Sequence, residues 1–233
     1  MMGDLEIPGY MEFFGNDYLG AYRETISKIT KGENKHKKQS GGRGQFGDCW
    51  IRLKPRTAGK GYEFVSSIKG GVIPTKYVPS VDKGIQEAAA RGVLAGFRCV
   101  DFEAECYDGS YHAVDSSDIA FKLAGSAAFK NVAGKCRPVI LEPIIEVTVT
   151  TPDDYVGDIM SDMNQRRGKV LGMEPTAGRT TVKALVPEAE LYKYSTSLRA
   201  ITQGRAHHSR AFSGYEAVPE LEVPKVIAAS KEA

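Results

Sequence analysis

The sequence has 233 residues, 42% hydrophobic and 26% charged, with a formal net charge of +2. That is long enough for two domains with real cores, and too balanced for polyanion binding through overall charge. The four cysteines, Cys49, Cys99, Cys106 and Cys136, lack C-x-x-C spacing, and His207 and His208 are adjacent in sequence, so structural thiols and no metal are expected. No stretch approaches the about 18 apolar residues of a membrane span and no basic-then-apolar leader opens the chain, so a soluble, cytoplasmic protein with no membrane partner is expected.

In chain order, residues 1–20 mix Gly3, Pro8, Gly9, Gly15 and Gly20 with aromatics and show no period, a poorly specified leader. Lys31, Lys35, Lys37, Lys38 and Arg43 then oppose a single acid, Glu33, in a segment that ends in Gly41, Gly42 and Gly44. It is a basic, glycine-containing loop that leads into a strand over Asp48–Lys54, where Cys49, Ile51 and Leu53 alternate with Trp50, Arg52 and Lys54. A second strand is expected over Tyr62–Ile68. Val78, Val81, Ile85 and Ala88 have helical spacing, with Gly92 as the stop. Val100, Phe102, Ala104 and Cys106 alternate with acids over Arg98–Tyr107, and Asp108-Gly109 is a turn signal. Asp115 and Ser116 can cap a helix to about Ala133, so His112 sits in a strand-to-helix loop.

The segment Lys135–Pro143 is the crossing to a second domain. There Ile145, Val147 and Val149 form a strand, Val156, Ile159, Met160 and Met163 a helix stripe, Val170–Glu174 and Thr180–Val186 two more strands, Leu191, Tyr194 and Leu198 a second helix, and Ala206–Ser213 a last strand. The order β-α-β-β-α-β is the split βαβ, or ferredoxin-like, arrangement. The domains are therefore expected at 21–138 and 139–215, followed by a C-terminal tail at 216–233.

Enzymatic motifs fail one after another. Gly42-x-Gly44-x-x-Gly47 has the letters of a dinucleotide fingerprint but opens a strand instead of a helix, and none of the Gly-Lys pairs has the Walker spacing. No nucleophile elbow or H-E-x-x-H is present, and no catalytic residue, cofactor or enzyme activity is expected. Two polar loops stand out instead, Gln39–Gly47 and Asp108–Val114. If their strands share a sheet, the loops form a tip whose glycines, cations and hydrogen-bonding side chains suit RNA.

At Gln39-Ser-Gly-Gly-Arg-Gly-Gln45, Gly70-Gly-Val-Ile-Pro74, Tyr107-Asp-Gly-Ser-Tyr-His112, Asp115-Ser-Ser117, Leu141-Glu-Pro143, Leu171-Gly-Met-Glu-Pro175 and Thr202-Gln-Gly-Arg205, in that order, the chain resembles elongation factor G. With Tyr22-Arg-Glu-Thr25 the resemblance runs from about residue 21 to 225, over the family's fourth and fifth domains. It implies an α+β protein: a ribosomal-protein-like βαβ domain with a left-handed crossover, then a ferredoxin-like βαββαβ domain. It implies a tip that enters the decoding region of the small ribosomal subunit beside transfer RNA and messenger RNA during translocation, and a fifth domain at the large-subunit GTPase-associated centre. The matching tip residues are Gly41, Gly42, Arg43, Gly44 and Gln45 in one loop and Ser110, Tyr111 and His112 in the other, with Lys35, Lys37 and Lys38 as a supporting patch. GTP and magnesium belong to the family's GTPase domain, whose motifs this sequence lacks, so this chain alone is expected neither to hydrolyse GTP nor to drive translocation.

Two alternatives stay open on the sequence: a ribosome-recycling or ribosome-protection specialist on the same scaffold, and a small-molecule-binding regulatory module built on the ferredoxin-like half. Cys49-Trp50 and the lysine-rich 35–38 segment suggest a divergent, second-type member. The polar Ala206-His-His-Ser-Arg-Ala211 departs from the family's aromatic-rich strand.

Overall fold

The computed structural model describes residues 22–39 and 44–232, so Gly41, Gly42 and Arg43 lie outside the described residues. The chain divides into two units, one holding the described part of 22–141 together with 217–232, the other 142–216.

In the first unit a short β1 (Arg23–Ile26) pairs antiparallel with the opening of β6 (Pro138–Pro152). The main sheet is built from β2 (Thr30–Lys38), β3 (Gln45–Pro55), β4 (Glu63–Ser66) and β5 (Phe102–Ser110), in the order β2-β3-β5-β4. β4 and β5 are parallel, and the chain passes from one to the other through α1 (Val78–Ala89), which makes the βαβ element. One face of the sheet is apolar because Cys49, Ile51 and Leu53 of β3 and Phe102, Ala104 and Cys106 of β5 alternate inward. They pack with Val81 and Ile85 of α1 and with Phe121, Phe129 and Val132 of α2 (Asp118–Ala133). The small residues of α2 permit close contact with α1: a Cβ on Gly125 would stand 2.5 Å from the Val81 carbonyl oxygen.

The second unit follows the order β6, α3 (Val156–Gln165), β7 (Lys169–Thr176), β8 (Arg179–Pro187), α4 (Tyr194–Thr202), β9 (His207–Ala217). Its sheet runs β7-β8-β6-β9, the ferredoxin-like arrangement. Val147, Val149, Ile159, Met163, Val182, Val186, Leu191, Tyr194 and Leu198 form its core. The polar β9 packs through its long side chains. The His208 ring meets Tyr194 edge-on at 4.9 Å, and Arg210 lies 6.0 Å from the same ring and donates to the Leu191 carbonyl.

Several local expectations are corrected. Lys31–Lys38 is strand β2, not loop; its inward positions are Gly32, Asn34 and His36, so hydrophobic alternation had nothing to register. Asp108-Gly109 is not a turn but continues β5, where a Cβ on Gly109 would stand 2.3 Å from the Asp48 carbonyl oxygen. β5 starts at Phe102 instead of Arg98 because Asp101 takes a positive φ of 56°. The cap of α2 is Ser117, whose hydroxyl accepts from Ala120 N–H. β6 starts at Pro138, ahead of the strand expected from Ile145, and runs through the change of unit between 141 and 142, while residues after 216 include α5 (Val223–Glu232).

Candidate functional site

The two loops singled out from the sequence leave the first unit's sheet at the same end, since β3 begins at Gln45 and its antiparallel neighbour β5 ends at Ser110. They are joined chiefly through Asp115 and Ser116. Gly44 N–H donates to the Asp115 carboxylate at 3.2 Å, and Phe46 N–H to the Asp115 carbonyl at 2.9 Å. The Ser116 hydroxyl donates to the Phe46 carbonyl and accepts from His112 N–H, both at 2.9 Å. The Tyr77 hydroxyl donates to the Ser116 carbonyl at 3.2 Å. Sequence reading treated Asp115 and Ser116 as helix caps; the capping role fell to the third residue of the Asp-Ser-Ser run, which released the first two to tie the loops.

The approach is close enough to exclude side chains. A Cβ at position 44 would stand 3.0 Å from the Asp115 carboxyl carbon, and one at position 47 would stand 2.7 Å from the backbone of Ala120. Gly47 thus lets the start of β3 lie directly against the first turn of α2.

The expected tip residues fall into distinct situations. Tyr111 is 49% exposed and the His112 side chain 55%, so both rings are available to a partner. His112 Nδ1 accepts from Asp115 N–H at 3.2 Å and lies 3.4 Å from the Asp115 carboxylate. With Nδ1 accepting, Nε2–H is the outward donor. Gln45 is half-buried, and its carbonyl oxygen pairs with His36 Nε2 at 2.9 Å, leaving its amide NH2 to donate. Ser110 is half-buried, its hydroxyl donating to the Asp48 carboxylate at 2.6 Å. Gly44 stands at the junction of the loops. Of the lysines, Lys35 places Nζ 5.1 Å from the centroid of the Phe46 ring, and Lys37 and Lys38 are exposed at the end of β2.

Sequence reading also missed Phe46, whose ring lies 6.2 Å from that of His112. Its place in the strand alternation, on the face opposite Cys49 and Ile51, was the available signal.

No reactive thiol accompanies this site. Burial is the main cause that pushes Cys99 and Cys106 up to about 12, and it raises Cys49 and Cys136 as well, so all four stay protonated near neutral pH. Among the described residues no His, Cys, Asp and Glu cluster has the makings of a metal site, and no helix is long and apolar enough to cross a membrane.

An open sheet backed by two helices, with glycine-rich loops meeting at one end, followed by a ferredoxin-like unit, is the pairing of the later domains of a translation factor. Residues 21–137 match the family model "Elongation factor G, domain IV", and residues 139–225 match "Elongation factor G C-terminus". The chain is 54% identical over 207 residues to elongation factor G of Aquifex pyrophilus, covering 89% of this chain and 30% of that protein. A crystal structure of a protein from Thermus thermophilus superposes with a TM-score of 0.82 at 46% identity, covering 91% of this chain and 32% of the other. The chain belongs to the elongation factor G family, and it spans about a third of the length of these relatives.

Proposed function

We propose that this chain supplies the ribosome-contacting part of a translational translocase, with the tip built from residues 41–45 and 110–112 entering the decoding region as transfer RNA and messenger RNA move. What supports the reading most directly is the joining of the two loops by Asp115 and Ser116. Gly44 and Phe46 on one side and His112 on the other are fixed through backbone groups, while the rings of Tyr111 and His112 stay exposed. A tip so held resists compression, and its donors can reach bases or 2′-hydroxyls. The role is occupancy: a rigid, hydrogen-bonding body fills the vacated site so that codon and anticodon cannot slip back. No bond is made or broken there. The ferredoxin-like unit would meet the large subunit near its GTPase-associated centre, and the factor would act in the cytoplasm.

Sedimentation of the chain with ribosomes across a salt series tests this. Saturable binding is expected, with Arg43→Ala lowering the salt slope by roughly 0.7 to 0.9 if one phosphate contact is lost. In a full-length factor, His112→Ala is expected to slow translocation with GTP hydrolysis intact. A parallel loss of hydrolysis would contradict the assignment of the tip.

A further inference from the structure

The face of the β2-β3-β5-β4 sheet turned away from α1 and α2 is uncovered by any described element of its own unit, and its composition is unusual for a merely solvated face. Residues directly opposite on neighbouring strands share a face. The β2–β3 register therefore sets Lys31 beside Arg52, Glu33 beside Trp50, Lys35 beside Asp48 and Lys37 beside Phe46. Trp50 is 37% exposed.

On the other side of β3 the register slips by one residue, so that Trp50 pairs with Asp108 while Ile51 pairs with Cys106, leaving Tyr107 as the extra residue of a β-bulge. The bulge brings Tyr107 beside Trp50, ring centroids 6.3 Å apart and the planes at 89°, with the Arg52 guanidinium 5.0 Å over the tyrosine ring.

Charge is distributed unevenly across this face. Glu103 and Glu105 of β5 are paired by Lys54 at 2.7 and 3.3 Å, and Glu105 also by Arg52 at 2.7 Å. Asp48 is nearly buried and bound to Ser110. On the edge strand, by contrast, Lys31, Lys35 and Lys37 point outward against Glu33 alone and form no ion pair among the described residues.

We propose that this face is a second RNA-binding surface, distinct from the tip, that takes unpaired RNA: a base stacks on Trp50 beside Tyr107, and the phosphates run along Lys31, Lys35 and Lys37. The chemistry favours a single strand because in a duplex the faces of the bases are already stacked, whereas a splayed base offers its π-face to an aromatic side chain. Phe46 stands four residues from Trp50 along β3, roughly 13 Å, so a strand seated on the face is carried toward the tip.

Trp50 is the only tryptophan in the sequence, so its fluorescence reports the site without a label. The full chain is titrated with a single-stranded ten-nucleotide uridine RNA, with a blunt duplex of that length, and with heparin as a polyanion lacking bases. Saturable, salt-sensitive quenching by the single strand and not by duplex or heparin is expected. Tyr107→Ala should weaken it about 10-fold, and the Lys35→Gln/Lys37→Gln pair should lower the salt slope by about 1.4. Circular dichroism checks that each variant is folded.

Binding of the single strand by sedimentation without quenching, equal quenching by duplex, or heparin binding that displaces the RNA while Trp50 stays unquenched throughout would each overturn the proposal. Because the reporter is Trp50 itself, its silence leaves ribosome binding through the tip to stand or fall on its own test.

Discussion

The two units differ in the charge they leave unpaired. In the ferredoxin-like unit the conspicuous cations are tied internally. Arg167 makes a two-pronged contact with Glu142 at 2.8 Å on each arm and a third contact with Glu190 at 2.9 Å, while Arg166 bonds Asp162 and the Glu190 carbonyl. The hydrogen-bonded Glu142 carboxylate, and to a lesser degree Glu190, holds the Arg167 pKa above its ordinary value. In the first unit the β2 lysines and the rings of Tyr111 and His112 are turned to solvent, and the loops are held through the backbone. Internal pairing gives shape to the one, and outward charge leaves binding capacity on the other.

The largest expected effect would break this contrast, because the first unit contains one wholly internal acid. Glu24 is fully buried, and its carboxylate accepts from the backbone N–H groups of Val93, Leu94, Ala95 and Phe97. Glu24→Ala leaves four donors without that acceptor and is expected to cost about 4 kcal/mol, seen as a fall in the urea midpoint with little change in slope. A loss under about 1 kcal/mol would mean that water replaces the carboxylate and that the first unit has no internal charge of consequence.

Arg167→Ala comes next. It strands the nearly buried Glu142, but the arginine is partly exposed, so a loss of about 2 kcal/mol is expected by the same measurement. Asp115→Ala should cost about 1 kcal/mol yet weaken ribosome sedimentation more than its stability effect explains, because it unties the loops; His112→Ala should leave the urea midpoint in place.

The last effect has the opposite sign. The Tyr194 hydroxyl is buried without a hydrogen-bond partner among the described residues, so Tyr194→Phe should raise stability by up to about 1 kcal/mol. A loss instead would reveal that the hydroxyl is satisfied after all.

What was legible in the sequence follows where hydrophobic alternation carries the signal. The β3, β5 and β8 strands and the α1 and α3 helices have apolar residues at the right period, and the βαββαβ order of the second unit could be read from them. β2 could not, because an edge strand that lays glycine, asparagine and histidine inward has no apolar period. The tip loops were found from their glycines and polar residues. The ties between them were not, since a serine that caps a helix and a serine that joins two loops look alike until the third dimension separates Ser117 from Ser116. Trp50 was visible only as a departure from the family. Its neighbour in space, Tyr107, depends on a one-residue bulge that no spacing rule announces.

The tight junction at Gly44 and Gly47 also sets the terms on which this tip can be varied. Those two positions admit no side chain without moving Asp115 or the first turn of α2, whereas the rings of Tyr111 and His112 are about half exposed. A combinatorial library for altered RNA preference therefore has a natural frame. Residues 44, 47, 115 and 116 stay fixed as the hinge pins, and diversity goes into 111 and 112, where new chemistry can be installed without rebuilding the backbone that presents it.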